Sequence, residues 1–362
     1  MDVVTPRRIG KSALKVSPLG FGGGPLGDPG VSAEACLETV RAAWAGEVRF
    51  YDTAPYYGIG RSERRLGLAL AECGPRESFQ VNTKVGRTLE PEPVREASLD
   101  TFSPNGQPRT PRDPISGHRV YFDYGEAAIL AQHRDSLTRM GLAYVDALAI
   151  HDIDYGHQWP EQVDRFLGQL SRTGGGGARA LEGLREAGLI QAIGAGCNRE
   201  MRNYDSWDGG RHEDLIERLA DTVDLDFLIV AGPYTLLDTI ALRRLLPMMQ
   251  ARGIGAIIAS PFAGGWLIDP ERIGYMYGQT PDAVRDKTDR LAAVCRAHGV
   301  EIGAVALQFV LAHPAVAAVI PGAKSADEAT TARRFLNSPI PGDLWRTLKT
   351  EGLLDETAPT PD

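Results

Sequence analysis

The sequence predicts an α/β fold, a (β/α)8 TIM barrel that forms a single domain over residues 1–362. Short apolar runs alternate eight times with longer segments of helical periodicity, which indicates repeated strand–helix units. Several of these runs are apolar throughout, as expected for parallel strands that are buried on both faces. A chain of 362 residues with 43% hydrophobic and 24% charged residues also has the size and composition of one large barrel.

Each apolar run is assigned to a strand because it is short and lies between polar or turn-forming segments. The predicted strands cover residues 16–22, 48–52, 79–84, 145–151, 190–196, 227–231, 255–260 and 317–320. Between them, apolar residues repeat every three or four positions and predict helices at residues 33–45, 63–71, 126–140, 178–187, 214–219, 239–251, 303–312 and 326–335. We expect an N-terminal hairpin at residues 7–15 and extra helices at residues 281–298 and 341–353.

Two connections, at residues 85–122 and 152–177, are too long for simple turns. The first is rich in proline and glycine and shows no clear periodicity. Both follow the carboxyl ends of strands, the face where barrel enzymes place their active sites. Long loops at this face are often lids or determine specificity, and a plain surface loop is the alternative for the first of them.

Charge and cysteine content limit the classes of partner and cofactor. A net charge of −8 argues against nucleic acid or an anionic membrane as the main partner. The four cysteines are far apart, which fits a reducing cytoplasm and predicts no metal site. No apolar run is long enough to span a bilayer, and the N-terminus lacks a secretory signal pattern. We expect a cytoplasmic monomer or homodimer that acts on a small molecule.

The segment Gly22–Gly27 matches the G-x-G-x-x-G pattern of dinucleotide-binding folds. That pattern requires a helix directly after the glycines, but the predicted helix begins only after Ser32. We therefore interpret the segment as a compact turn in which Gly22 lets the backbone approach the barrel mouth.

Four side chains that can carry proton-transfer chemistry lie at or just after the ends of the second, third and fourth predicted strands: Asp52, Tyr57, Lys84 and His151. Neighbouring strand ends of a barrel converge on one patch. A tyrosine with a pKa of about 10 exchanges protons poorly at neutral pH, and an ammonium nearby lowers that pKa. A carboxylate keeps the lysine charged, and a neutral imidazole can hold a substrate oxygen. This set suits proton transfer at an alcohol or carbonyl oxygen, coupled to hydride exchange with a nicotinamide.

Each of these residues also has a structural interpretation. Asp52 could cap a turn, Asp52 and Lys84 could form an ion pair only, and Tyr56 competes with Tyr57 as the working phenol. A Schiff-base aldolase that uses Lys84 would also fit a barrel. Their coincidence at adjacent strand ends favours the proton-transfer interpretation.

Three motifs resemble those of the aldo-keto reductases: Asp-Thr-Ala-x-x-Tyr-Gly-x-Gly-x-Ser-Glu at Asp52–Glu63, Thr83–Gly86 and Ile150–Asp152. The similarity extends over nearly the whole chain. It implies that Tyr57 is the general acid/base, that the lysine and aspartate tune it, and that His151 orients the reacting oxygen. It also implies an extended nicotinamide cofactor bound on the barrel itself.

The resemblance implies an NAD(P)(H) site formed by Gly22, Asp52, Asn198, Ser260, Phe262, Gly264, Gly322, Lys324, Ser325 and Glu328. The pattern departs from the family at Cys197, Ala231 and Ala259, so either Tyr234 or Phe262 is left to supply the face that stacks on nicotinamide.

The stretch from Gly322 to Glu328 is a strand end, a glycine turn and a helix start, which together form a ready anion site. Ser325 and Glu328 also fit a capping box, so both residues could simply start the helix. Lys324 could meet a 2′-phosphate, whereas a carboxylate at position 328 would repel it. This favours NAD over NADP.

Less distinctive segments, including Phe122–Tyr124 and Ala231–Asp238, resemble the branch of L-fucose and D-threo-aldose 1-dehydrogenases, to which pyridoxal 4-dehydrogenase is related. That branch oxidises a cyclic hemiacetal, and the expected substrate contacts are Tyr57, His151, Trp159 and Tyr124. Proline at position 233, where the branch has arginine, leaves the sugar open. The alternatives are an NADPH-dependent reductase of a larger aldehyde or ketone and a nicotinamide-sensing regulatory protein with little turnover.

Overall fold

Eight parallel strands form the wall of a barrel in the computed structural model, which describes residues 5–91, 111–198, 210–271 and 273–361. In chain order the strands are β1 (Arg7–Arg8), β2 (Lys15–Val16), β3 (Phe21–Gly22), β4 (Phe50–Asp52), β5 (Gln80–Val85), β6 (Arg87–Pro91), β7 (His118–Phe122), β8 (Ala147–His151), β9 (Ala192–Asn198), β10 (Phe227–Ala231), β11 (Gly255–Ala259) and β12 (Val316–Ile320). The wall contains β3, β4, β5, β8, β9, β10, β11 and β12 in that order. The predicted barrel is confirmed.

The barrel closes between its first and last strands. Leu19 pairs with Val319, whose carbonyl accepts the N–H of Gly20 at 2.8 Å. The N–H of Gly22 donates to the Pro321 carbonyl at 2.9 Å. The ends of β3 and β12 are therefore held together at the barrel mouth.

The predicted hairpin closes the bottom of the barrel. β1 and β2 pair antiparallel, and Ile9 and Val16 pack into the same apolar cluster as Phe50 and Phe227 of the barrel wall. The Arg7 guanidinium donates to the main-chain carbonyls of Leu311 and of Val316, the first residue of β12. Burying this apolar end keeps water out of the barrel interior, so the functional groups lie at the opposite end.

Helices surround the wall and match most of the predicted segments. They are α1 (Ala33–Ala45), α2 (Arg61–Cys73), α3 (Glu126–Met140), α4 (Pro160–Leu170), α5 (Gly177–Glu186), α6 (Arg211–Thr222), α7 (Leu245–Ala251), α8 (Asp282–Ala297), α9 (Ile302–Leu311), α10 (Ala326–Asn337) and α11 (Gly342–Thr350). Among the described residues, no single helix is both long and apolar enough to cross a bilayer.

The structure corrects two loop predictions. The segment 152–177 contains α4, which begins with Pro160 and buries Val163, Phe166, Leu167 and Leu170. These apolar positions have helical spacing, so the signal was present in the sequence. The segment 85–122 contains the paired strands β6 and β7, while residues 92–110 lie outside the described part of the chain.

Two predicted elements are broken in the structure. The strand at 16–22 is split into β2 and β3. The helix at 239–251 is a short 3-10 turn, Ile240–Leu242, followed by α7. Pro247 explains this second break, because it has no N–H to bond the carbonyl four residues earlier and is tolerated only in the first turn of α7.

Candidate functional site

Asp52, Tyr57, Lys84 and His151 meet at the carboxyl end of the barrel. β4 ends at Asp52, β5 carries Lys84 near its end, and β8 ends at His151. These three strands are neighbours, and Tyr57 lies in the turn that follows β4. The Lys84 Nζ donates to Asp52 Oδ2 at 2.7 Å and lies 3.1 Å from the Tyr57 hydroxyl. The Tyr57 and His151 rings meet edge to face with centroids 5.8 Å apart.

The glycine segment near the N-terminus supports the tyrosine turn. Gly23–Gly27 forms a tight turn with a 3-10 helix and no long helix after it. A Cβ on Gly27 would lie 2.5 Å from the Tyr57 carbonyl carbon. A Cβ on Gly58, whose φ is 62°, would lie 2.1 Å from the Gly27 carbonyl oxygen. The glycines let two backbones touch and so fix the position of Tyr57, consistent with the compact-turn interpretation.

Lys84 is held as a cation. Both Lys84 and Asp52 are almost fully buried, and the lysine also donates to the Thr53 carbonyl at 2.9 Å. Burial opposes the ammonium charge, but the Asp52 carboxylate more than offsets it and raises the pKa of Lys84. A lysine that keeps its proton lacks the electron pair that Schiff-base formation needs. The aldolase alternative therefore finds no support in this geometry.

The pKa of Tyr57 differs from the sequence-based expectation. Burial raises the pKa of its hydroxyl above the usual value, and the Lys84 ammonium offsets this only in part. The predicted lowering by the ammonium is present but is outweighed. Tyr57 is therefore protonated at neutral pH, in the form that donates a proton.

His151 is a neutral imidazole. Burial lowers its pKa well below the usual range, although the Asp152 carboxylate acts in the opposite direction. Its Nδ1 is buried without a hydrogen-bond partner among the described residues, and its Nε2 lies 3.3 Å from Asp152 Oδ2. A neutral ring at this place can donate a hydrogen bond to an oxygen of a bound molecule.

Four ionisable side chains that the sequence analysis did not assign lie directly behind His151: Arg87, Asp152, Asp154 and His157, here named the charged cluster. The Arg87 guanidinium is 2.5 Å from Asp152 Oδ2, and His157 Nδ1 is 2.9 Å from Asp154 Oδ1. Two acidic residues flanking Ile153, just after a strand-end histidine, were the available signal in the sequence. The side chains of Asp152, Asp154 and His157 lie close enough to share a cation, but both carboxylates already contact positive groups of the protein.

Apart from Asp52, the residues predicted to bind the cofactor lie on the other half of the barrel mouth. Asn198 ends β9, Ser260 follows β11, and Gly322 follows β12, while Gly22 pairs with Gly322 across the closure. Ser260 is in the left-handed backbone region, with a φ of 51°. The amide of Asn198 donates to Asp152 Oδ1 at 2.9 Å, so its orientation is fixed by the charged cluster.

Of the two aromatic residues predicted as stacking faces, one is buried. Tyr234 is fully buried against Phe309, so its ring is not available at the mouth. Phe262 is partly exposed and contacts Phe335 edge to face, next to Gly264 in the turn after β11.

The start of α10 carries two opposing charges. Lys324 forms an ion pair with Asp28 at 3.0 Å, and its N–H donates to Glu328 Oε2 at 2.7 Å. The Ser325 hydroxyl accepts the N–H of Glu328, as a helix cap does. A hydrogen bond from the Gly30 N–H and the Lys324 ammonium hold the pKa of Asp28 below its usual value, so the carboxylate is charged.

The two aromatic residues predicted as substrate contacts occupy different environments. Trp159 is 47% exposed at the start of α4, on the rim of the mouth. Tyr124 is fully buried, and its hydroxyl donates to the His151 carbonyl at 2.6 Å. The structure thus places Tyr124 behind the strand end, where it supports the histidine backbone.

The sequence model of the aldo/keto reductase family matches residues 18–350 of this chain. The chain belongs to the aldo/keto reductase family. It is 35% identical to D-threo-aldose 1-dehydrogenase of a Pseudomonas species over 356 residues, which cover 97% of each protein. It is 33% identical over 363 residues to pyridoxal 4-dehydrogenase of Microbacterium luteolum, covering 96% of this chain and 97% of that one.

Solved structures of the family share the fold. An aldo-keto reductase of Bacillus halodurans in its holo form superposes with a TM-score of 0.70 at 21% identity and covers 98% of both chains. Aldo-keto reductases are oxidoreductases that use NAD(P)H and act on small molecules. The chain is therefore an oxidoreductase of this class, and its relatives point to sugars or carbonyl compounds.

Proposed function

We propose that this protein moves a hydride between a nicotinamide and the carbon of a sugar hemiacetal, alcohol or carbonyl, with Tyr57 as the general acid/base. The observation that carries the proposal is the contact of the Tyr57 hydroxyl with Lys84 Nζ at 3.1 Å, beside a neutral His151. The tyrosine exchanges the proton of the reacting oxygen, and His151 holds that oxygen by a hydrogen bond. Lys84, kept charged by Asp52, stabilises the phenolate when it forms.

The residues at the barrel mouth fit a nicotinamide dinucleotide. The proton-transfer groups lie on β4, in the turn after it, and on β5 and β8. Most of the candidate cofactor residues lie at or after the ends of β9, β11 and β12, and Gly22 lies on β3 beside them. We assign the carboxamide contact to Asn198, the pyrophosphate contacts to Ser260 and neighbouring main-chain groups, and the adenosine end to the start of α10. When bound, the cofactor supplies the hydride donor or acceptor.

The substrate class is taken from the relatives and from the mouth of the site. One relative is named for aldoses and the other for pyridoxal, which are both small and carry hydroxyl groups. Trp159 on the rim offers an apolar face for such a ring. The test is oxidation of a panel of aldoses and of pyridoxal with NAD and with NADP, followed by the absorbance of reduced nicotinamide. Turnover of none of them would contradict the oxidative proposal.

The protonation state of Tyr57 favours a second candidate, reduction of an aldehyde or ketone. Reduction needs a tyrosine that donates its proton, and the raised pKa of Tyr57 keeps it in that form at neutral pH. The same panel of compounds in the carbonyl form, assayed with NADPH and NADH, compares the two directions. Faster reduction than oxidation at neutral pH would favour this candidate.

The rates in the two directions should depend on pH with opposite signs. Oxidation needs the phenolate, whose fraction increases tenfold per pH unit below the pKa of Tyr57, so the oxidation rate should rise from neutral pH upward. Reduction should stay constant over that range and fall only as the pH approaches the raised pKa. Both limbs are measured as kcat against pH with saturating substrates. An oxidation rate that falls between neutral and alkaline pH, with the protein still folded, would contradict the assignment.

We further propose that NAD is preferred over NADP. Lys324 is already paired with Asp28, and Glu328 adds a second carboxylate where a 2′-phosphate would bind. Replacing both, in the variant Asp28→Asn/Glu328→Gln, should raise the ratio of kcat/KM for NADP to that for NAD by about three- to tenfold, because these exposed charges are screened. Asp327→Asn removes a charge from the same helix turn and is the matched control. No change in the ratio in the double variant would refute this role.

A further inference from the structure

The charged cluster has no role in the proton transfer described above. Asp152 and Asp154 are almost fully buried, and so is Arg87. Burying charged groups costs free energy unless each is paired, and a structural purpose alone is met as well by apolar packing. The cluster lies between His151 and Asn198, a position from which it can orient both side chains.

The Asp152 carboxylate contacts both halves of the site. Its Oδ1 accepts the amide Nδ2 of Asn198 at 2.9 Å. Its Oδ2 lies 3.3 Å from Nε2 of His151 and 2.5 Å from the Arg87 guanidinium. One carboxylate therefore joins the imidazole proposed to hold the substrate to the amide proposed to hold the cofactor.

We infer that Asp152 is a positioning residue that sets the His151 ring and the Asn198 amide together. This inference rests on the proposed function of those two residues. Asp152 Oδ2 lies 3.3 Å from Nε2 but makes no hydrogen bond to it in the described part of the chain. Its negative charge favours the tautomer with the proton on Nε2 and leaves that N–H to donate to a substrate oxygen. Nδ2 of Asn198 donates to Asp152 Oδ1 at 2.9 Å and, more weakly, to Asp154 Oδ2 at 3.4 Å. Its carbonyl oxygen is therefore left as the acceptor for the amino group of a carboxamide.

The backbone at Asp152 is consistent with this role. Its φ of 57° lies in the left-handed region, which a non-glycine residue rarely adopts. Its N–H donates to the Gly196 carbonyl at 2.9 Å, and this bond fixes the residue between β8 and β9. Backbone strain of this kind persists where the surroundings impose it and is concentrated at functional sites.

Arg87 extends the coupling to the tyrosine turn. It is the first residue of β6, and its guanidinium lies 3.7 Å from the ring centroid of Tyr56 and 4.7 Å from that of Phe122. The β6–β7 hairpin is thus joined to Asp152 through one cation. Burial opposes the charge of His157, but Asp152 and Asp154 outweigh it and raise its pKa, so the two carboxylates favour the protonated imidazole.

The test compares Asp152→Asn and Asp152→Ala with a matched control, Asp146→Asn. Asp146 is also buried and paired with an arginine, Arg76, at 2.5 Å, but it precedes β8 at the opposite end of the barrel. Each variant is assayed for kcat and KM, and its NAD affinity is measured by quenching of protein tryptophan fluorescence. Long-range proton–nitrogen spectra of histidine-labelled protein report the tautomer of His151, which is assigned with His151→Gln.

Asp152→Asn keeps the acceptor for Asn198 and removes the charge beside His151. It should lower kcat about tenfold or more, leave the NAD affinity within about twofold, and redistribute the proton between the two His151 nitrogens. Asp152→Ala also removes the nearer acceptor of Asn198 Nδ2 and leaves only Asp154 Oδ2, at 3.4 Å, so it should in addition weaken NAD binding by about three- to tenfold. Asp146→Asn should change none of these readouts.

The variant Asp152→Asn leaves the Arg87 guanidinium without its carboxylate, which could lower stability. The double variant Arg87→Met/Asp152→Asn removes that guanidinium and so separates a loss of stability from a loss of positioning. This double variant should regain thermal stability without regaining kcat. If Asp152→Asn gives the kcat and the His151 spectrum of the Asp146 control, the positioning role is refuted while the proposed function stands. If the wild-type protein turns over no substrate, the proposed function fails, and the spectra and NAD affinities still decide whether Asp152 orients the two side chains.

Discussion

Tyr57→Phe should lower turnover by about 10²–10⁴-fold in both directions while NAD binding stays within about twofold. The variant removes only the hydroxyl that lies 3.1 Å from Lys84 Nζ and keeps the ring that contacts His151. No other described side chain places a hydroxyl on this lysine, so no second acid replaces it. Steady-state rates measure turnover, and quenching of protein tryptophan fluorescence by NAD measures binding.

Tyr56→Phe is the matched control for this substitution. Tyr56 is the neighbouring phenol, but its ring lies over the Arg87 guanidinium, and phenylalanine preserves that contact. It should retain activity within about threefold. If the Tyr56 variant loses activity and the Tyr57 variant does not, the acid/base has been assigned to the wrong tyrosine. If neither variant changes a measured biological effect while NAD still binds, the nicotinamide-sensing alternative is favoured.

Lys84→Met should remove most of the oxidation rate and also destabilise the fold. Without the ammonium, burial acts on the Tyr57 hydroxyl unopposed, so the alkaline limb of the pH profile should move to higher pH and the residual rate at neutral pH should fall. The Asp52 carboxylate is then buried without its cation, which costs about 3–5 kcal/mol of unfolding free energy. Urea denaturation and kcat against pH measure the two effects.

The double variant Lys84→Met/Asp52→Asn separates activity from stability. Removing the unpaired carboxylate should restore most of the unfolding free energy, because the buried charge is gone, while activity stays lost. Asn82 donates to Asp52 Oδ1 at 2.7 Å, and an asparagine at position 52 can keep that acceptor. Recovery of oxidation in the double variant would show that the lysine acts only through stability.

The motif at residues 52–63 could be interpreted from the sequence because its chemistry is local. The strand end, the tyrosine and the glycine turn follow one another within twelve residues, so their proximity needs no long-range pairing. The alternation of apolar runs and helical segments likewise reports burial along the chain and was sufficient to predict the barrel. The same reasoning does not find α4, although its buried positions have helical spacing.

Arg87 illustrates what sequence reasoning could not reach. It lies in a segment without clear periodicity, and its partner, Asp152, is far along the chain and ends up beside it only because β5 and β8 are neighbours in the barrel. The burial of Tyr124 could not be predicted for the same reason, because its hydroxyl donates to the carbonyl of His151 at the end of β8.

The identities of the proton-transfer groups and their common position at the strand ends follow from residue order and strand periodicity alone. The net direction of the Tyr57 pKa does not, because it is a balance between the exclusion of water and the field of Lys84. Which aspartate faces His151, and which amide it orients, likewise depends on the packing of distant segments. Residues that are neighbours in the sequence determine the local chemistry by themselves. Desolvation and long-range pairing depend on the packing of the whole fold, so they arise only once the barrel has closed.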